Sequence, residues 1–156
     1  AGDKGNSEAY LVRGLVELEY KNANEAINCF DKAIEFKPDL AEAWSNKGVT
    51  LNDLQRYEEA LAHYGKAIEV KPDYAEAWSN KGVTLNNLRR YDEALVHYDK
   101  TIELKPDYAE AWSNKGVTLN DLQRFDEALA HYQRAVEIDP TRADTLRPFL
   151  EKARRN

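Results

Sequence analysis

The stretch Ala41-Glu42-Ala43-Trp44-Ser45-Asn46-Lys47-Gly48-Val49-Thr50-Leu51-Asn52 returns unchanged at 75–86 and again at 109–120, an interval of 34 residues both times. A word repeated at that period marks a helical solenoid, in which each unit buries its apolar face only by stacking on its neighbours. Working outward, units occupy 41–74, 75–108 and 109–142, and the first two of these agree at 27 of 34 positions. A divergent unit at 7–40 precedes them. The polar, Gly-containing residues 1–6 read as a disordered leader. The final residues, 143–156, are too few for another unit.

Each unit reads as two antiparallel helices, about 41–54 and 58–70 in the second unit, with a turn near Gln55-Arg56. Pro72 cannot continue a helix, and Asp73 is placed to cap the one that follows. Ala60, Leu61, Tyr64, Ala67 and Ile68 form an apolar stripe at helical spacing. Gly48 lies inside a helix, where it costs about 1 kcal/mol against Ala. Close approach of two helices is the expected reason, and Gly14, Gly82 and Gly116 share the position. Leu146, Phe149, Leu150 and Ala153 are spaced to cover the last unit, as a solenoid end requires. Pro148 belongs in a first turn, which places the start of this capping helix near Thr145 and turns Arg147, Lys152, Arg154 and Arg155 to solvent.

The pattern resembles the tetratricopeptide repeat. Trp44, Gly48, Ala60, Tyr64, Ala67 and Pro72 carry the resemblance in the second unit. Trp78, Gly82, Ala94, Tyr98 and Pro106 carry it in the third, with Thr101 for the second small residue. In the fourth they are Trp112, Gly116, Ala128, Tyr132, Ala135 and Pro140, and in the first Tyr10, Gly14, Ala26, Phe30, Ala33 and Pro38. The resemblance implies an all-α, right-handed superhelical solenoid of four helix-turn-helix units plus a C-terminal cap, acting as a protein-interaction scaffold. Two departures stand out. Lys47, Lys81 and Lys115 (Arg13 in the first unit) replace the family's usual Leu, and Leu51, Leu85 and Leu119 replace an aromatic. The lysines are expected to bury their stems and raise their ammonium groups to water.

The resemblance also implies a site. First helices line the concave side of such arrays, which puts Glu42, Ser45, Asn46, Val49 and Asn52 in a peptide-binding groove for an extended or helical segment. Their counterparts are Glu76, Ser79, Asn80, Val83 and Asn86, then Glu110, Ser113, Asn114, Val117 and Asn120. Asp53, Asn87 and Asp121 extend the same face. Asn is a poor helix-interior residue, so Asn46, Asn80 and Asn114 need a reason. Their amides can donate and accept along an extended backbone, similar to the Asn ladder of O-linked N-acetylglucosamine transferases, or they can bond a neighbouring helix. Val12 stands there in the first unit, leaving three rungs. Chaperone-binding relatives clamp an acidic tail with Lys, Asn and Arg; here Ser, Val and Glu stand in most of those places and only the Asn remains, and the acids favour a basic segment instead. Leu11, Leu15 and Leu18 form an apolar stripe on the first unit, a second candidate contact through which copies could self-associate.

Other chemistry is not indicated. No nucleophile, acid–base pair or phosphate loop stands out, so no enzyme, cofactor or metal is expected unless the repeats belong to a longer enzyme. His63, His97 and His131, with Cys29 in register, form a row, but neighbouring members stand too far apart to share one zinc. A net charge of −6 argues against nucleic acid and against anionic membrane surfaces. The N-terminus carries no secretory signal, and the single cysteine, Cys29, fits a reducing, cytoplasmic compartment. The absence of Met is expected of a chain processed, cut from a longer one, or given a new N-terminus by cloning.

Overall fold

The structure, a computed structural model, describes residues 4–155, with side chains described at 6–152 and at Arg155. Paired helices run α1 (Lys4–Glu19) and α2 (Ala23–Phe36), α3 (Ala41–Asp53) and α4 (Tyr57–Val70), α5 (Ala75–Asn87) and α6 (Tyr91–Leu104), α7 (Ala109–Asp121) and α8 (Phe125–Ile138). A 3-10 turn, Pro140–Arg142, leads into α9 (Ala143–Arg155). Each helix packs on the next in sequence. The first helices of successive units also touch one another, and the second helices do not. The stack is therefore pinched on the side of α1, α3, α5, α7 and α9, which form the inner face of a superhelical solenoid.

The glycines explain how closely the paired helices sit. A Cβ on Gly48 would lie 2.7 Å from the Tyr64 ring, and Gly82 and Gly116 stand in the same relation to Tyr98 and Tyr132. In the first unit Phe30 presses on Gly14. These rings, with Ala26, Ala33, Ala60, Ala67, Ala94, Ala128 and Ala135, are the fully buried centre of each unit. Thr101 replaces an alanine there, and its hydroxyl donates to the His97 carbonyl at 2.9 Å.

Units are joined by their tryptophans. The indole N–H of Trp44 donates to the Pro38 carbonyl at 2.8 Å, and Trp78 and Trp112 do the same to Pro72 and Pro106 at 2.9 Å. Proline ends one unit, and the next unit's tryptophan holds the carbonyl it leaves behind. Within each unit the turn closes through a residue in the left-handed region: Lys21, Gln55, Arg89 and Gln123 all have φ near 60°. The Arg56 N–H reaches the Leu51 carbonyl and the Gln55 N–H the Asn52 carbonyl, a Schellman closure.

Four expectations need correction. Asp39, Asp73 and Asp107 do not cap; Leu40, Tyr74 and Tyr108 occupy the N-cap positions without side-chain cap bonds. The exception is Asp139, whose carboxylate accepts from the Thr141 N–H at 3.1 Å in the 3-10 turn. Helix α9 begins at Ala143 rather than Thr145, in 34-residue register with Ala109, and Pro148 lies inside it. Pro148 falls in the register of Asn46, Asn80 and Asn114, on the open inner face, and the Asp144 carbonyl it leaves without a donor lies in an exposed turn. Helix α1 begins at Lys4, so residues 4–6 are helical, whereas residues 1–3 of the expected leader lie outside the described residues. Lys47 and Lys115 do not simply reach water: each ends 2.5 Å from a carboxylate of the preceding unit, Asp31 and Asp99. Leu146, Phe149 and Leu150 close the stack over Tyr132, with the Phe149 and Tyr132 rings 5.6 Å apart. The side chains of Ala153 and Arg154 lie outside the described residues.

Candidate functional site

The inner face presents one helix per unit, and the structure divides the expected groove residues into three sets. Asn46, Asn80 and Asn114 are half-buried. Their backbone carbonyls take part in the helices, and Asn46 and Asn114 also accept from Thr50 and Thr118. Among the described residues their side-chain amides make no hydrogen bond. Val49, Val83 and Val117, one turn on, are half-buried beside them.

The second set is engaged internally. The Asn52 Oδ1 accepts from the Thr84 hydroxyl at 2.8 Å and from the Asn87 amide at 3.3 Å. The Asn86 Oδ1 accepts from Thr118 at 2.7 Å. These asparagines tie each unit to the next. Leu18 stands at this place in the first unit, so among the described residues Thr50 has only the bond to the Asn46 carbonyl of its own helix, the counterpart of the one Thr118 also makes. Asn120 is buried, and its Oδ1 has no hydrogen-bond partner among the described residues; Lys152 stands where the following threonine would be. Ser45, Ser79 and Ser113 are buried as well, so they are not on the accessible groove surface.

The third set is charged. Glu42 is exposed and Glu76 and Glu110 are half-exposed. The Lys105 ammonium bonds Glu76 at 3.2 Å and sits over the Tyr108 ring, 4.9 Å from its centre. Lys71 sits likewise over Tyr74 at 5.1 Å. Burial first, and then Glu110 and Glu76, push the Tyr108 phenol up to about 12. Sequence reasoning missed both aromatic–lysine pairs; the repeated Lys-Pro-Asp-Tyr of 71–74 and 105–108 is the signal that carries them.

The apolar stripe on α1 is not as expected. Leu11 is buried in the first unit's core and Leu18 is half-buried against it. Exposure instead falls on Val12, Leu15, Val16 and Tyr20, of which Val12 is 59% exposed.

The histidines lie on the outer row, each against its own unit's tryptophan: Trp44–His63, Trp78–His97 and Trp112–His131, with ring centres 5.4–5.7 Å apart. Each Nδ1 bonds the carbonyl four residues back, which can only accept, so Nδ1 carries the proton. Among the described residues no three His, Cys, Asp or Glu side chains converge as metal ligands would. Among them, too, no helix is long and apolar enough to cross a membrane.

Comparison with known proteins agrees with this architecture. No curated protein sequence matches the chain. A crystal structure of MamA superposes with a TM-score of 0.80 at 25% identity, covering 91% of this chain and 83% of MamA. PilF of Pseudomonas aeruginosa superposes at 0.87 with 23% identity, over 99% of this chain and 72% of PilF. The first repeat domain of Spaghetti (RPAP3), solved with the HSP90 peptide SRMEEVD, superposes at 0.75 with 21% identity, covering 78% of this chain and 96% of that one. Family models described as tetratricopeptide repeat match residues 7–40, 41–74, 75–108 and 109–142. With four matched units stacked through shared Trp–Pro joints, the chain belongs to the tetratricopeptide repeat family.

Proposed function

We propose that this protein is an interaction module that holds an extended, basic peptide segment along its inner face, with the side-chain amides of Asn46, Asn80 and Asn114 as the rungs. The family is a protein-interaction scaffold, and repeat proteins of this kind generally do no chemistry of their own. The observation that carries the finer reading is the split among the asparagines. Asn52 and Asn86 are committed to threonines, whereas Asn46, Asn80 and Asn114 have both a donor and an acceptor free. Touching helices lie about 8–10 Å apart, and an extended chain rises about 3.3 Å per residue. One rung per unit therefore meets a peptide about every third residue and reads its backbone rather than its side chains.

Charge sets the preference. The Spaghetti domain holds an acidic peptide. Here Glu42 and Glu110 face the groove with no lysine bonded to them among the described residues, although Glu76 is already answered by Lys105. A Lys- or Arg-bearing segment fits that balance.

The test is selection of binders from a random linear peptide library, followed by NMR of the side-chain amide groups. Selected peptides should be enriched in Lys and Arg. They should shift the amide signals of Asn46, Asn80 and Asn114 and leave those of Asn52 and Asn86 in place. Peptides that move none of the three rungs would sink the reading.

A second reading has one observation behind it. Val12 and Val16 are exposed on α1, in 34-residue register with Asn46 and Thr50 of the next unit. Pairing of two copies through this face predicts concentration-dependent dimers in light scattering, abolished by Val12→Glu. A monomer at high concentration would dismiss it.

A further inference from the structure

Lys47, Lys81 and Lys115 stand at one place in the repeat, but only two of them are alike in surroundings. Lys47 reaches Asp31 on α2, and Lys115 reaches Asp99 on α6, each at 2.5 Å. Those lysine side chains are only 15% and 17% exposed. The place on α4 that corresponds to Asp31 and Asp99 is Gly65. A Cβ built at Gly65 meets nothing within 4 Å. Lys81 is half-buried and, among the described residues, makes neither an ion pair nor a hydrogen bond.

Its own unit offers no substitute. Lys81 acts electrostatically on Glu93 and His97 just as Lys115 acts on Glu127 and His131, so the two lysines sit alike in their units. The Glu93 carboxylate is held by Arg90 through two bonds of 2.7 Å. His97 Nδ1 is bonded to the Glu93 carbonyl. Where an aspartate answers the lysine of the units on either side, Gly65 leaves open space.

We propose that Lys81 and the opening over Gly65 form a receptor for one external carboxylate, which takes the place that Asp31 and Asp99 hold within the chain. The site lies where Lys81 of α5 meets the Gly65 stretch of α4, apart from the inner-face amides. A partner could therefore dock an acidic side chain there while the groove is occupied. A free carboxylate and an aspartate on a partner share this chemistry, and the two are separable by experiment.

Lysine side-chain NMR of the full chain supplies the test, with sodium acetate, sodium chloride and a short peptide carrying one Asp as probes. Acetate should shift Lys81 saturably and leave Lys47 and Lys115 unmoved, and chloride should do neither. Tighter binding of the peptide would assign the site to a protein partner, and equal binding to small carboxylates. Gly65→Asp should abolish the Lys81 response and raise Tm above that of Gly65→Asn, which adds the same bulk without the charge. Both variants place a side chain in open space, so folding is not at risk. The proposal is overturned by a Lys81 shift no larger than those of Lys47 and Lys115, or by a response that persists in Gly65→Asp.

Discussion

Two glycines in neighbouring helices show how one residue type takes opposite roles. Gly48 lies where a methyl group would strike the Tyr64 ring at 2.7 Å, and Gly65 lies where it would touch nothing. Gly65→Ala should therefore stabilise the protein by about 1 kcal/mol, the helix-propensity difference. Gly48→Ala should cost about 1–3 kcal/mol through overpacking. Urea denaturation of both variants checks this, and the same sign for both would contradict it. The role of Gly48 is legible in the sequence, because a costly residue recurring mid-helix needs a packing reason. The role of Asn52 is not. An amide that faces a ligand and one that bonds Thr84 in the next unit look alike until the stacking register is known. The lysines misled for the same reason, since Asp31 and Lys47 belong to different units and meet only once the units are stacked.

At the scale of the helix, the turns carry a correctable strain. Gln55 has φ of 60° in a Schellman closure, a position that favours glycine. Gln55→Gly should relieve about 1–2 kcal/mol of left-handed strain. Against this stands about 0.5–1 kcal/mol of added chain entropy, so a small rise in Tm is expected. A lower Tm would show that the turn is held by the Gln side chain instead. The outer helices also carry a pH dependence. Burial holds His97 and His131 below the ordinary 6.5, although a backbone carbonyl bonded to each ring works the other way. Both rings are neutral in the folded state at a pH where the unfolded chain binds protons. The stability they contribute is full above about pH 6.5 and is lost as pH falls through their lowered folded values. NMR titration should give midpoints below 6.5 for both rings. Helix boundaries were largely legible from Pro and the 34-residue word. The start of α9 was not, because register with α7 decides it, while the rule for Pro148 points two residues further on.

For the whole molecule, stability rests on neighbour contacts, and the last contact is α9 on α8. Deleting 143–156 would uncover the Tyr132 ring and remove Leu146, Phe149 and Leu150 from the core. A loss of about 2–4 kcal/mol is expected, the worth of one or two buried side chains after ordering costs. Calorimetry would register it as a lower Tm, and an unchanged Tm would show that α9 is not a cap. The solenoid itself was legible from one repeated word; the separation of its inner asparagines into rungs and joints needed the assembled stack. The most direct measurement of the binding account is the affinity of a library-selected basic peptide for the chain with Asn46, Asn80 and Asn114 all changed to Ala, beside Asn86→Ala. The account predicts that the triple variant loses the peptide with a Tm no lower than the parent's, since Ala is the better helix residue, while Asn86→Ala keeps the peptide and loses about 1 kcal/mol of stability. A triple variant that melts early and still binds the peptide would contradict it.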